Sequence, residues 1–321
     1  MLNPFFKDNK NQEEFIEKGY VKITTPTISS EIIAELMLFL ENSGIKEYSE
    51  EAVYMAMENK DKLLLRKMYE VIKTAMFSVL DDILINPVFF FGTFIIKYPN
   101  SKVTVLPHQD GTLVEDEVNN YTLTCWVPLV DVDRENGCMG LIKKSNQIYN
   151  SIRPLPSPQV YRPLSKHAFS IMPYFELVPM KAGEILIFDN KTFHISPPNV
   201  SNKERIAISS WVYQKGTDLR MYYLKPGTKN KLLKYAIDED FYLKYDNTIL
   251  SKMYDENKLI EDYQIIDELD YKYQDFSKNE MKKQIESKGN KRDNEFYNYM
   301  FQYFPNEMRT NYLSKLKEIF K

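Results

Sequence analysis

Histidine is scarce in this chain. Its 321 residues include three, His108, His167 and His194, so the placement of each is informative. Cysteine is scarcer still: Cys125 and Cys138 are the whole complement. Two thiols build no disulfide framework, and a reducing, cytoplasmic setting is the expectation. No stretch approaches about 18 apolar residues without a charge, which argues against a membrane span. The first residues, MLNPFFKDNKNQEEF, hold no apolar run of signal-peptide length. A net charge of −3, a pI near 5.8 and the lack of a long basic run give no reason to expect a nucleic-acid partner. What remains is ordinary globular composition, 43% hydrophobic and 27% charged, sufficient for one large core with an appended subdomain.

The chain changes character twice. KNQEEFIEKGYVKIT (10–24) reads as a short helix, a stop at Gly19 and a strand. Ser29 and Ser30 then open a helix over EIIAELMLFLENSG, with apolar residues three and four apart and Gly44 as its stop. A further helix is predicted over about 59–84, ending before Pro87. Strand character follows at 88–98, 102–110, 121–130, 139–144, 184–188 and 205–213, with turn signals such as Pro99-Asn100, Asn136-Gly137 and Asp189-Asn190 between them. Short strands after a helical lead-in predict a mainly β protein, an antiparallel sandwich or barrel flanked by helices. The proline-rich stretch 153–179 reads as a long loop over one mouth of it. From about residue 225 the chain turns to Lys, Glu, Asp and Tyr with apolar residues at helical spacing, as in NEMRTNYLSKLKEIF (306–320). The division expected is therefore 1–224 as the main domain and 225–321 as a helical extension packed on it.

His108-Gln109-Asp110 is the first chemical signal. On an extended chain, residues i and i+2 share a face, so imidazole and carboxylate converge on one point. A third ligand from a distant segment would complete a triad of two histidines and one carboxylate. That set leaves three positions of iron(II) open for substrate chelation and O2. By itself the pair is a weak signal, a chance occurrence in roughly one such chain in five. A second segment strengthens it. His194 follows the strand EILIF and a turn, and Arg205 lies eleven residues further on, opening RIAISSWVY. Alternation puts Arg205, Ala207, Ser209 and Trp211 on one face. If that face is interior, the guanidinium needs an anionic partner, because an unpaired buried charge is costly. A dicarboxylate supplies one through two parallel hydrogen bonds. Ser196, two past His194, could add a hydroxyl to the same group.

PHQD, YTLTCWVPLVDVDRENGCMGLI and VPMKAGEILIFDNKTFHISPPNVSNKERIAIS together resemble the phytanoyl-CoA dioxygenase family. The resemblance runs over about 12–215 and is strongest over 88–213. It implies a double-stranded β-helix (jelly-roll, cupin-like) with N-terminal helices, and an iron(II)- and 2-oxoglutarate-dependent dioxygenase that uses O2 and releases succinate and CO2. Carried over, His108, Asp110 and His194 match the iron ligands. Arg205 and Ser196 match the groups on the far carboxylate of 2-oxoglutarate, and Trp126 an aromatic position beside it. In related halogenases a small residue replaces the carboxylate ligand, so Asp110 points to hydroxylation or a related oxidation such as desaturation. Two departures stand out: Gly111 where the family often has an aromatic residue, and Lys143-Lys144-Ser145-Asn146 where it often has Gly-Ser-His.

Weaker candidates complete the reading. Lys97 on the strand 88–98 is placed to meet a cosubstrate or substrate carboxylate at the mouth. Thr122 and Thr124 share a face with Trp126. Arg153, Tyr161, Arg162 and Tyr174 lie in the 153–179 loop, where substrate contacts are expected. The partner is a small molecule, free or carried on a protein or peptide. Two alternatives stay open: a cupin-type metalloenzyme using all three histidines, His108, His167 and His194, plus an acid such as Glu176, without 2-oxoglutarate, and a non-catalytic small-molecule-binding relative.

Overall fold

The computed structural model describes residues 4–25, 27–45, 53–157 and 159–303. The N-terminal part is built as its sequence signals require. Helix α1 (Asn9–Lys18) begins where the Asp8 side chain accepts from the Asn11 amide, and ends at Gly19, whose φ of 81° is left-handed. Strand β1 (Tyr20–Ile23) follows directly. Helix α2 (Ser30–Asn42) is capped by Ser29, and β2 (Val53–Met55) leads to α3 (Lys62–Ile83), capped by Asp61. The inner stripe of α3, including Leu65, Met68, Ile72, Met76 and Leu80, is buried. At about 1.5–3 kcal/mol per fully buried side chain, this stripe explains why α3 docks on the sheet beneath it.

The strands are β3 (Pro87–Lys97), β4 (Val105–His108), β5 (Thr122–Pro128) and β6 (Met139–Leu141), then β7 (Glu176–Val178), β8 (Ile185–Asp189), β9 (His194–Ser196) and β10 (Arg205–Gln214). They form two antiparallel sheets, β1-β8-β5-β10-β3-β2 and β4-β9-β6-β7. The sheets face each other as a double-stranded β-helix, and among the described residues they share no strand, so the barrel expected as one option is a two-sheet sandwich. Alternation along β10 separates two environments. Ile206, Ile208 and Val212 enter the core cluster that includes α3, whereas Ala207 packs between the sheets with Trp126, Leu141 and Phe188.

The stretch 153–179 is more structured than a loop. It holds 3-10 turns at Pro163–His167 and Met172–Tyr174, helix α4 (Ala168–Ile171) and strand β7. Beyond β11 (Arg220–Leu224) the chain carries β12 (Lys231–Ala236), α5 (Phe241–Lys244), α6 (Asn247–Asp255), β13 (Ile265–Asp270), α7 (Lys278–Ser287) and α8 (Asn294–Phe301). The extension thus has helices and also two strands of a third sheet, β11-β12-β13. The expected boundary at 224/225 falls inside the β11–β12 hairpin. Phe241, Tyr242 and Leu250 join the main core, and Met281, Ile285 and Phe296 join a second cluster with Phe193 and Ile195. The helical expectation for 306–320 lies outside the described residues. Among those described, no helix is long and apolar enough to cross a membrane.

Candidate active site

Strands β4 and β9 pair antiparallel with His108 opposite His194. Their ring centroids lie 4.0 Å apart. The same device orients both rings. Nδ1 of His108 lies 2.9 Å from the Leu106 carbonyl, and Nδ1 of His194 lies 2.9 Å from the Thr192 carbonyl, each two residues upstream. A carbonyl only accepts, so Nδ1 carries the hydrogen and Nε2 keeps its lone pair. Burial, then the neighbouring His194, pushes the His108 pKa down to about 4, which leaves its ring neutral at pH 7.

Asp110 stands just beyond the end of β4 rather than on an extended strand. Its backbone N–H donates to the Asn190 carbonyl at 2.9 Å, and its own carbonyl accepts from Arg153 Nε at 2.7 Å. Thr124 Oγ1 lies 2.6 Å from Asp110 Oδ2 and 2.9 Å from Asn190 Oδ1. The hydroxyl has one proton, and the shorter contact to the charged oxygen takes it. The other oxygen, Oδ1, lies 3.8 Å from His194 Nε2. Donor atoms of His108, Asp110 and His194 all fall within 4.8 Å of one another. Two imidazoles and a carboxylate at this spacing suit a divalent transition metal with open positions.

The triad opens into a cavity of about 490 Å3. Arg205 lines the same cavity and is 1% exposed. Its Nη2 donates to Ser196 Oγ at 3.3 Å, while Nε and Nη1 are buried without a partner. Trp126 lies beneath the guanidinium, 5.6 Å from it. Burial lowers the Arg205 pKa to about 10, so the group is still a cation at pH 7. A buried guanidinium with two unmet N–H groups is a receptor for a carboxylate, and this is the observation against which 2-oxoglutarate fits.

The structure distributes the other candidates unevenly. Lys97 does not line the cavity. Its register partner is Arg205, and its ammonium is fully buried, donating to the carbonyls of Ser196 (2.8 Å) and Pro197. Burial first, then Arg205, disfavours its charge. Lys97 is therefore a clamp on the chain just past His194 and not a group at the mouth. Thr122 is buried away from the cavity, and Thr124 serves Asp110. Arg153 lines the cavity, but its guanidinium is engaged: Nη1 and Nη2 grip Glu117 at 2.9 and 2.5 Å. Tyr161 packs tilted against Tyr273 with ring centroids 5.0 Å apart, and the Tyr174 hydroxyl donates to Glu286 at 2.6 Å; neither lines the cavity. Arg162 does line it, at an exposed position. Among the described residues the metal-capable cluster contains neither His167 nor Glu176.

Several contributors had no role assigned to them from the sequence. Asn190 and Glu117 hold Asp110 and Arg153 from distant turns. Gly111 has no side chain where the 153–157 strap crosses: a Cβ there would lie 3.0 Å from Leu155 Cβ. The unusual Lys144-Ser145-Asn146 turn braces β9. Ser145 Oγ accepts from the Phe193 amide at 2.8 Å, and Asn146 Nδ2 donates to Asp189 at 3.1 Å. The apolar wall of Phe91, Ile95 and Trp211 follows from alternation along β3 and β10 once an inward residue is known.

Comparison with known proteins follows this geometry. The family model described as phytanoyl-CoA dioxygenase (PhyH) matches residues 34–207, more than half of the chain. Phytanoyl-CoA dioxygenase domain-containing protein 1 of Danio rerio is 30% identical over 126 residues, 38% of this chain and 43% of that protein. Its Rattus norvegicus counterpart is 28% identical over 125 residues. These matches thus span less than half of the curated relatives. Among solved structures, the non-heme alpha-ketoglutarate-dependent carbocyclase SnoK from nogalamycin biosynthesis superposes with a TM-score of 0.52 at 20% identity, covering 67% of this chain and 87% of its own. That likeness concerns the fold. The chain belongs to the phytanoyl-CoA dioxygenase (PhyH) family.

Proposed function

We propose that the protein is an iron(II)- and 2-oxoglutarate-dependent dioxygenase that hydroxylates a C–H bond of a small molecule. The observation that carries this reading is the buried Arg205 with two unmet N–H groups in the same cavity as the His108, Asp110 and His194 cluster. In the proposal those three residues hold the metal, and Arg205 with Ser196 binds the far carboxylate of 2-oxoglutarate. Bound iron and 2-oxoglutarate supply oxygen activation with release of succinate and CO2. The chain's own work is positional. Leu106 and Thr192 fix the imidazole tautomers, Thr124 fixes one oxygen of Asp110, and Arg153 pins the Asp110 backbone. Phe188, 4.7 Å from the His194 ring, and the apolar lining limit water at the metal.

Anaerobic addition of iron(II) and 2-oxoglutarate should give a visible charge-transfer band, and admission of air should give succinate. Absence of both the band and succinate would sink the proposal. Product mass separates the chemistry: a gain of one oxygen marks hydroxylation, and a loss of two hydrogens marks desaturation or ring closure.

A further inference from the structure

The charges lining the cavity are unbalanced. Asp110 is its only acid among the described residues, and it belongs to the triad. Three cations line it. Arg205 is buried beside Ser196 and answers to the cosubstrate in the proposed reading. Arg153 is neutralised by Glu117. The Arg162 backbone carbonyl accepts from the Ser165 amide, but its guanidinium makes no hydrogen bond or ion pair with any described residue. It directly precedes the 3-10 turn Pro163–His167, which packs on β4, the strand that carries His108. The opposite wall comes from the other sheet and the extension: Met55, Phe91, Ile95, Trp211 and Tyr242. Phe91, Trp211 and Tyr242 pack as an aromatic group with centroids 5.1–6.1 Å apart. The Tyr242 hydroxyl is already committed to the Leu155 carbonyl at 3.0 Å.

Such a cavity discriminates by what it leaves unpaired. A cationic head group would meet no free carboxylate and would face Arg162. A polyhydroxylated body would strand its hydroxyls against Trp211 and Phe91, at a desolvation cost for each. An apolar body with one anionic end satisfies both surfaces. Resting on the dioxygenase reading that this cavity holds the substrate, we infer that the substrate is an anionic amphiphile. Its single carboxylate or phosphate pairs with Arg162 at the mouth, and its apolar body lies along the Met55–Trp211 wall. Arg162 is then the residue that sets specificity for charge, through the bidentate geometry guanidinium offers to either anion.

The test uses the full-length protein and four ten-carbon probes: decanoate, decyl phosphate, 1-decanol and decylamine. Calorimetry on the metal-free protein, with saturating 2-oxoglutarate to occupy Arg205, should rank the better anion about tenfold or more above 1-decanol, with decylamine weakest. Decanoate in first place names a carboxylate head, and decyl phosphate in first place a phosphate. R162Q should erase the preference for the anion over the alcohol. R162E should invert the order of decanoate and decylamine. Melting temperatures check that both variants fold, which the exposed position of Arg162 favours. Equal binding of alcohol and anion, or an anion preference that survives in R162E, overturns the inference. Manganese(II) with 2-oxoglutarate adds the location: the bound anion should show paramagnetic relaxation of its carbons, and its absence with manganese bound overturns the placement. Failure of manganese to bind at all would instead overturn the dioxygenase reading, because the calorimetric ranking needs no metal.

Discussion

Replacing Arg205 with methionine should move stability and cosubstrate binding in opposite directions. In the protein without 2-oxoglutarate, Arg205 holds a buried charge with one hydrogen bond of 3.3 Å to Ser196 and two N–H groups unmet. It also disfavours the charge on Lys97, its cross-strand neighbour. Exchanging an uncompensated buried ion for an apolar side chain of similar length is neutral or stabilising by about 1–4 kcal/mol. The melting temperature of Arg205→Met should therefore stay level or rise by a few degrees. Binding should collapse. Hydrogen bonds between charged partners contribute about 1.5–3 kcal/mol each, so losing two costs about 3–6 kcal/mol, a factor of roughly 10² to 10⁴ in the 2-oxoglutarate dissociation constant. Both quantities come from one assay, thermal unfolding with increasing 2-oxoglutarate. The wild-type protein gains about 2.7 kcal/mol at one hundred times its dissociation constant, and the variant gains at most about 0.4 kcal/mol at that concentration. A variant that melts several degrees lower yet keeps wild-type 2-oxoglutarate affinity would refute the argument, because Arg205 would then be a structural cation.

Three further outcomes are expected. Thr124→Val keeps the shape but loses the 2.6 Å hydrogen bond to Asp110 Oδ2; metal affinity in a chelator competition should fall about 10–100-fold, and Thr124→Ser should restore it. Gly111→Phe, the residue type common in the family, places a Cβ 3.0 Å from Leu155 Cβ and 3.3 Å from its carbonyl. Denaturant unfolding should show a loss of about 1–3 kcal/mol, with faster proteolysis of the 153–157 strap. His167 is fully buried near Lys166 and Lys278, and burial pushes its pKa down to about 4. Between about pH 6.5 and 4 the unfolded chain takes a proton that the folded one refuses, so stability falls as pH falls, by up to about 3 kcal/mol. His167→Gln should flatten that slope in melting curves recorded from pH 7 to 4.5.

The legible parts of the fold were those written in local chemistry. Ser29 and Gly19 mark helix ends because their own backbone and side chain make the cap, whatever the tertiary context. The two histidines and Asp110 were legible as a set because period-two geometry and a spaced Arg205 constrain chemistry without knowledge of packing. β13 was not legible. Its sequence, IIDELD, carries three acids and lies largely exposed; its place beside β12 comes from Lys231–Asp270 and Lys234–Asp267 across the strands. Those partners are 39 and 33 residues apart, and no short window of sequence contains both. Lys97 shows the same limit in another form. Its residue type suggested a ligand group, but the two carbonyls that hold its ammonium come from Ser196 and Pro197, about a hundred residues away. For Arg153, likewise, Glu117 decided the role.

The cavity wall formed by Trp211, Tyr242, Asn247 and Tyr271 lies beyond the segment 34–207 that matches the family. The metal-binding candidates and this part of the cavity wall therefore sit on separable stretches of the chain, while Met55, Phe91 and Ile95 of the same cavity lie within the family segment. Exchange of the later stretch between relatives would change what is admitted and leave the triad's own strands intact. A chain emerging from the ribosome would likewise complete its triad by residue 194, yet keep an open-sided cleft until Tyr271 has been added.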